Sequence, residues 1–137
     1  MAVLAGFSAN GEDNDSMHIL LAASELHPWS KTGGLADAVA ALGLALARSG
    51  NRVTIVTPLY RGIRERAAKR GGLVNAHWPF AVPMGPDLVG GNFWKFSPAA
   101  NLEIWFVEHE GFFDRPGLYN QAQQDYPDNA QRFLFLS

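Results

Sequence analysis

The chain has 137 residues, 47% of them hydrophobic, and 11 Lys and Arg against 13 Asp and Glu give a formal net charge of −2. That length and apolar content suit one domain with a buried core, and the weak negative charge excludes electrostatic attraction to nucleic acid or to an acidic membrane. Cysteine is absent, which excludes disulfides, and no apolar run approaches the roughly 20 residues of a membrane-crossing helix. No nucleic-acid or membrane partner is therefore expected, and the composition is compatible with the cytoplasm.

Residues 1–16 are small and polar, with Gly11-Glu12-Asp13-Asn14-Asp15, and are expected to form a disordered leader ahead of a folded unit at 17–137. They carry no arginine and no basic start, which speaks against a transit or secretory peptide. Residues 17–23 (Met-His-Ile-Leu-Leu-Ala-Ala) form a short apolar run of the kind found in the centre of a parallel sheet. A helix follows over Gly34–Arg48, with Leu35, Val39, Leu42 and Leu46 expected on its buried face and Ser49-Gly50 as its stop. Arg52–Pro58 reads as a second buried strand. Strand, helix and strand together make a β-α-β unit and an α/β fold class.

Between the first strand and the helix lies Ser30-Lys31-Thr32-Gly33-Gly34-Leu35-Ala36-Asp37. This places a cation and two residues without side chains at the carboxyl end of a strand, where open α/β sheets bind ligands. The first amides of a helix are unpaired and carry the positive end of its dipole, so the layout is that of an anion pocket. Lys31 supplies a full charge suited to a phosphate, and Gly33 and Gly34 admit a ligand close to the main chain. A tight turn with a solvated lysine accounts for the same residues equally well. The loop has neither the G-x-x-x-x-G-K-[ST] order nor the G-x-G-x-x-G order of the standard phosphate loops.

Further along, residues 62–70 form a charge-rich helix closed by Gly71-Gly72, read as a solvated face rather than an anion patch. Residues 80–82 are a strand between Pro79 and Pro83. Residues 90–96 and 101–107 form a hairpin across Ser97-Pro98-Ala99-Ala100, and its Trp94, Phe96, Trp105 and Phe106 are read as core in preference to a sugar-stacking platform. Asp125 is a plausible N-cap for a last helix, with Pro127 in its first turn. His18, His27, His77 and His109 have no metal-ligand spacing, so no metal and no cofactor is expected. The chain closes on an apolar stretch, residues 131–137, in which Phe133, Leu134 and Leu136 have no evident partner; this predicts a partial chain whose continuation covers them.

Residues 24–37, Ser-Glu-Leu-His-Pro-Trp-Ser-Lys-Thr-Gly-Gly-Leu-Ala-Asp, resemble the amino-terminal signature of bacterial glycogen synthases and plant starch synthases. The likeness continues in Val56-Thr57-Pro58-Leu59-Tyr60, in Phe112-Phe113-Asp114-Arg115-Pro116-Gly117-Leu118-Tyr119, and in residues 125–133. Four ordered matches cover nearly all of 17–137.

The resemblance implies a Rossmann-like amino-terminal domain of a two-domain, GT-B type glycosyltransferase, incomplete here. It also implies transfer of glucose from ADP-glucose, with retained configuration, to the non-reducing end of an α-1,4-glucan such as glycogen. Lys31 is then the phosphate-contacting residue, with Gly33 and Gly34 presenting amides. Asp37 is a candidate for sugar or acceptor contact beside its simpler role as a first-turn acid, and Glu25 either lines the acceptor cleft or decorates the loop. Tyr126 is a candidate substrate-binding residue beside a purely structural reading. The main catalytic groups of the family, an Asp-Trp-His loop and an Arg/Lys pair with a glutamate in a carboxyl-terminal domain, have no counterpart in this sequence and are expected beyond Ser137. The piece alone is expected to be inactive; the alternative is a non-catalytic remnant that binds nucleotide-sugar or glucan.

Overall fold

A computed structural model of the chain describes residues 2–7 and 16–137. Its elements in chain order are β1 (Ala2–Phe7), β2 (Met17–Ala22), α1 (Gly34–Arg48), β3 (Arg52–Pro58), α2 (Ile63–Ala68), β4 (Val74–Asn75), β5 (Phe80–Met84), β6 (Asp87–Ala99), β7 (Leu102–Glu108), α3 (Glu110–Phe113), β8 (Asn120–Gln121), β9 (Gln124–Asp125) and α4 (Asn129–Leu136). The main sheet runs β1-β2-β3-β7-β6-β4, with β5 also paired to β6, and β8 and β9 form a small separate ribbon. Strands β2, β3 and β7 are parallel, and the pairings that flank them are antiparallel. The expected α/β class holds, as a mixed sheet with a parallel centre.

The parallel centre follows from composition. β3 (Arg-Val-Thr-Ile-Val-Thr-Pro) is buried at nearly every position from Val53 onward, as a strand covered on both faces must be. In β7 alternation sets the faces: Leu102, Ile104 and Phe106 are buried while Glu103 and Trp105 are half-buried. The loops that follow β2, β3 and β7 leave the carboxyl ends of parallel neighbours, so residues 23–33, 59–62 and 109 onward share one edge of the sheet.

Helix α1 has the predicted bounds but presents a different face. Its buried positions are Ala36, Val39, Gly43 and Ala47, whereas Leu35 and Leu42 are exposed. Close approach is the cause. A Cβ at Gly43 would come 2.7 Å from Cδ1 of Ile55 on β3, so the helix lies on the sheet through its small residues, with Leu35 and Leu42 turned outward and Leu44 and the expected Leu46 half-buried against the core. Past the last turn, Gly50 takes φ 90, the left-handed conformation in which glycine ends a helix.

Three boundaries differ from expectation. Ala2–Phe7, assigned by composition to the leader, pairs antiparallel along β2 from Ala2–Ala22 to Phe7–Met17; residues 8–15 of that leader lie outside the described residues. In the β6–β7 hairpin the register slips between Phe96 and Ala99, where Pro98 has no N–H to donate. The ladder then resumes, so the turn is Ala100-Asn101, with Asn101 at φ 60. Helix α4 starts at Asn129 rather than near Asp125, because Asp125 is paired with Asn120 in the β8–β9 ribbon.

The last helix finds partners for part of its apolar face. Phe135 is buried among Phe80, Phe112 and Phe113, with ring centroids 5.4, 5.4 and 6.3 Å away. Leu136 packs on the core and Phe133 lies 5.5 Å from the ring of Tyr119. Leu134 remains 61% exposed. Among the described residues no helix is long and apolar enough to cross a membrane.

Candidate functional site

The segment after β2 is a rigid turn followed by an open loop. Ala23 continues the sheet by donating its N–H to the Val56 carbonyl at 3.0 Å. The chain then closes on itself: the Leu26 N–H donates to the Ser30 carbonyl at 3.0 Å, and the N–H groups of Trp29 and Ser30 donate to the Leu26 carbonyl at 2.8 and 2.9 Å. Trp29 anchors this turn in the core, edge-on to Phe96 and Phe106 with centroids 5.0 and 5.6 Å away. Its carbonyl accepts from Arg66 Nη2 at 2.6 Å. Lys31 emerges from a fixed stem.

Lys31, Gly33, Gly34 and Asp37 come together at the start of α1. Lys31 Nζ lies 2.6 Å from Asp37 Oδ2, with both side chains about half exposed, and His27 Nδ1 is 3.7 Å from Asp37 Oδ1. The hydrogen bond from Lys31 holds the Asp37 carboxyl below the usual range. Among the described residues no side chain caps the helix, which leaves its first-turn amides without a side-chain acceptor.

Nothing lies within 4 Å of where a Cβ would stand on Gly33 or Gly34, and neither is among the glycines with positive φ. The backbone turn therefore does not demand glycine at either position. What the two glycines leave is free space over the helix start.

Glu25 organises the loop, a role that neither expectation for it anticipated. It is 4% exposed. Its Oε2 accepts from the Thr32 N–H at 2.6 Å and the Gly33 N–H at 3.3 Å, and its Oε1 accepts from Thr32 Oγ1 at 2.5 Å and from the Tyr119 hydroxyl at 2.7 Å. Burial pushes its carboxyl up, and the four hydrogen bonds more than offset that, leaving it below the usual range. The same environment pushes the Tyr119 phenol up to about 12, by burial first and with the Ser24 hydroxyl partly opposing. Ser24 Oγ stands 2.9 Å from that phenol oxygen.

Tyr126 belongs to a neighbouring cluster. Its ring lies between the guanidinium groups of Arg115 and Arg132, 4.8 and 5.0 Å from the centroid, and its hydroxyl accepts from the Gly117 N–H at 3.4 Å. It connects to the Lys31 loop through Tyr119, whose carbonyl accepts from the Tyr126 N–H at 3.1 Å. Those contacts give it a structural use independent of any ligand.

The charge-rich segment 61–70 is not an open anion patch. It borders a cleft of about 140 Å³ at the carboxyl ends of β3 and β7, but Arg61 is 2.7 Å from Asp114 and Arg64 is paired with Glu108. Arg64 also covers the ring of Trp94 at 4.0 Å. Trp94 and Phe106 are thus used internally, in keeping with the core reading of the aromatic hairpin.

Arg115 and Asp128 close the last loop with a two-pronged pair, Nη1 to Oδ1 at 2.7 Å and Nη2 to Oδ2 at 2.6 Å. The hydrogen bond from Arg115 holds the Asp128 carboxyl below its usual range. A depressed carboxyl stabilises the fold above its unfolded-state pKa and ceases to do so as pH falls through its folded value. Thermal melts between about pH 6 and pH 2 are expected to lose on the order of 1 kcal/mol from this pair below about pH 4, and Asp128→Asn to flatten that part of the profile. An acid limb identical in both proteins would remove the pair from the account.

The sequence model of the starch synthase catalytic domain matches residues 18–137. A glycogen synthase of Syntrophotalea carbinolica is 46% identical over 120 residues, spanning 88% of this chain and 24% of its own length. One from Opitutus terrae is 42% identical over 120 residues, with 88% and 25% covered. Among solved structures, the catalytic domain of starch synthase IV from Arabidopsis thaliana, bound to ADP and acarbose, matches with a TM-score of 0.65 at 26% identity, over 85% of this chain and 23% of that one. The chain spans about a quarter of the length of these relatives. With a family match that takes in β2 through α4 and includes the Lys31 loop, the chain belongs to the starch synthase catalytic-domain family.

Proposed function

We infer that this chain supplies the phosphate-binding side of a glucosyltransferase that moves glucose from ADP-glucose to the non-reducing end of an α-1,4-glucan in glycogen biosynthesis. The observation that carries the reading is the open start of α1: a lysine on a rigid stem, two glycines with free space above them, and uncapped helix amides. The ADP bound by the Arabidopsis relative supports a nucleotide diphosphate as the ligand.

In such a transfer, cleavage of the bond between the sugar and the diphosphate places negative charge on the leaving oxygen. Fixed amides and an adjacent ammonium stabilise that charge without rearranging. Lys31 and the amides from Gly34 onward take this part, and Asp37 keeps the Lys31 ammonium in place until the phosphates arrive. Tyr126 serves the site through the Tyr119 segment. Other groups around the sugar are supplied by segments that have no counterpart here, an Asp-Trp-His loop and, in a second domain, an Arg/Lys pair with a glutamate, while Asp37 stands near enough to the loop to meet sugar or acceptor hydroxyls. The 137 residues therefore bind donor without completing the transfer, in the cytoplasm.

Titration of the chain with ADP tests the reading. Lys31→Ala is expected to weaken ADP binding tenfold or more, since a charge-assisted hydrogen bond contributes about 1.5–3 kcal/mol and ~1.4 kcal/mol is a factor of ten. Equal affinity with and without the lysine would take Lys31 out of the site.

A further inference from the structure

Glu25 is a buried carboxylate beside a loop read as an anion site, and that conflict needs a reason. Buried carboxylates persist only when their charge is compensated. Here the compensation comes from four donors on two segments far apart in the chain: the Thr32 N–H, Thr32 Oγ1 and the Gly33 N–H on the loop, and the Tyr119 hydroxyl 94 residues away. With both oxygens already accepting two hydrogen bonds, the carboxylate has no free face for a substrate proton. Its work is geometric.

We propose that Glu25 is a positioning residue for the donor loop: it draws the Thr32 and Gly33 amides inward, fixes the backbone that carries Lys31 and Gly34, and ties both to Tyr119. This rests on the ADP-glucose reading above and adds a constraint to it. Because two amides are consumed internally, the ligand's phosphate is confined to the amides from Gly34 onward and to Lys31. The carboxylate thus sets where along the loop an anion sits, although it never touches that anion.

Amide hydrogen exchange and ADP titration of the 137-residue chain, unsubstituted and as Glu25→Ala, test this. The substitution is expected to speed exchange at the Thr32 and Gly33 amides by about tenfold or more, leave the Leu21 and Ile55 amides slow, and weaken ADP binding about tenfold. Glu25→Gln keeps one acceptor oxygen for the two amides and offers an NH₂ to the oxygens of Thr32 and Tyr119, so it is expected to restore most of both readouts.

Unchanged exchange at Thr32 and Gly33 would overturn the proposal, as would loosened amides with undiminished ADP affinity. If the unsubstituted chain binds no ADP while Glu25→Ala still loosens those amides, the positioning of the loop stands and the donor reading falls. Should Glu25→Ala also release Leu21 and Ile55, the comparison passes to Glu25→Gln and Tyr119→Phe. Tyr119→Phe removes a single donor and is expected to raise exchange at Thr32 and Gly33 by a smaller factor than Glu25→Ala, with Glu25→Gln staying near the unsubstituted chain; no rise in Tyr119→Phe would again overturn the proposal.

Discussion

Arg132→Ala is expected to destabilise the domain by on the order of 4 kcal/mol, enough to release its last helix. The side chain is fully buried, with no carboxylate among its hydrogen-bond partners. Its guanidinium donates Nε to the Phe112 carbonyl at 2.6 Å, Nη1 to Asn129 Oδ1 at 2.6 Å and Nη2 to the Leu118 carbonyl at 2.9 Å, and its plane sits near the rings of Tyr126, Phe133 and Phe113. Burial lowers its affinity for the proton, yet three oriented acceptors and three ring faces hold the charged form.

Truncation removes all of this together. Each acceptor left dry costs about 1–3 kcal/mol, and the vacated volume adds a cavity term. Against a total stability of about 5–15 kcal/mol, that is a large fraction. Arg132→Lys keeps the charge but cannot reach three acceptors in one plane, so it should recover less than half of the loss. Denaturant unfolding monitored through the amides of α4 decides the matter; a midpoint within error of the unsubstituted chain would contradict the account.

The second large effect is expected at Gly117. A Cβ there would stand 2.0 Å from the Asn120 carbonyl oxygen and 3.2 Å from its carbon, and both are backbone atoms that no rotamer change can move. Gly117→Ala must therefore push apart the loop 114–120, at an expected cost of about 3 kcal/mol. The disturbance has a direction. Tyr119 lies two residues on, so its bonds to Ser24 and Glu25 should weaken with the loop, and the Thr32 and Gly33 amides should lose protection although they are distant in sequence. Full stability and native Thr32 protection in Gly117→Ala would show that the close approach relaxes at little cost.

Both predictions concern a segment whose logic is long-range, and that explains what was legible in the sequence. The bounds of α1 and β3 and the pairing of β6 with β7 follow from local periodicity, which a sequence displays directly, whereas the turn of that hairpin lies beyond the expected Ser97–Ala100. The buried face of α1 was misjudged because hydrophobicity alone favours leucine, whereas packing onto Ile55 favours the missing side chain of Gly43. β1 was not legible because the polar run Gly11–Asp15 set the reading of residues 1–16 as a whole, although Ala2–Phe7 (Ala-Val-Leu-Ala-Gly-Phe) is apolar and pairs along β2.

Lys31, Gly33, Gly34 and Asp37 are neighbours in sequence, so their proximity at the start of α1 is legible locally. Glu25 and Arg132 were not legible in their working roles. Glu25 combines donors on its own loop with the Tyr119 hydroxyl 94 residues on, and Arg132 gathers acceptors 3, 14 and 20 residues before it, spacings that no local period displays. Asp128 is similar: a good N-cap residue by type, it spends both carboxylate oxygens on Arg115 instead of on the helix.

The Lys31–Asp37 pair carries a kinetic consequence. A lone ammonium projects a monopole that draws anions from roughly a Debye length, ~10 Å at 0.1 M salt, and can accelerate their encounter many-fold. A lysine already paired with its own counter-ion 2.6 Å away projects only a dipole, which fades far sooner. Under the proposed donor reading, with a sequence net charge of −2, a polyphosphate would gain little steering to the loop from afar and would exchange places with Asp37 at contact range. Ionic strength then acts chiefly on how long such a ligand stays, and little on how often it comes.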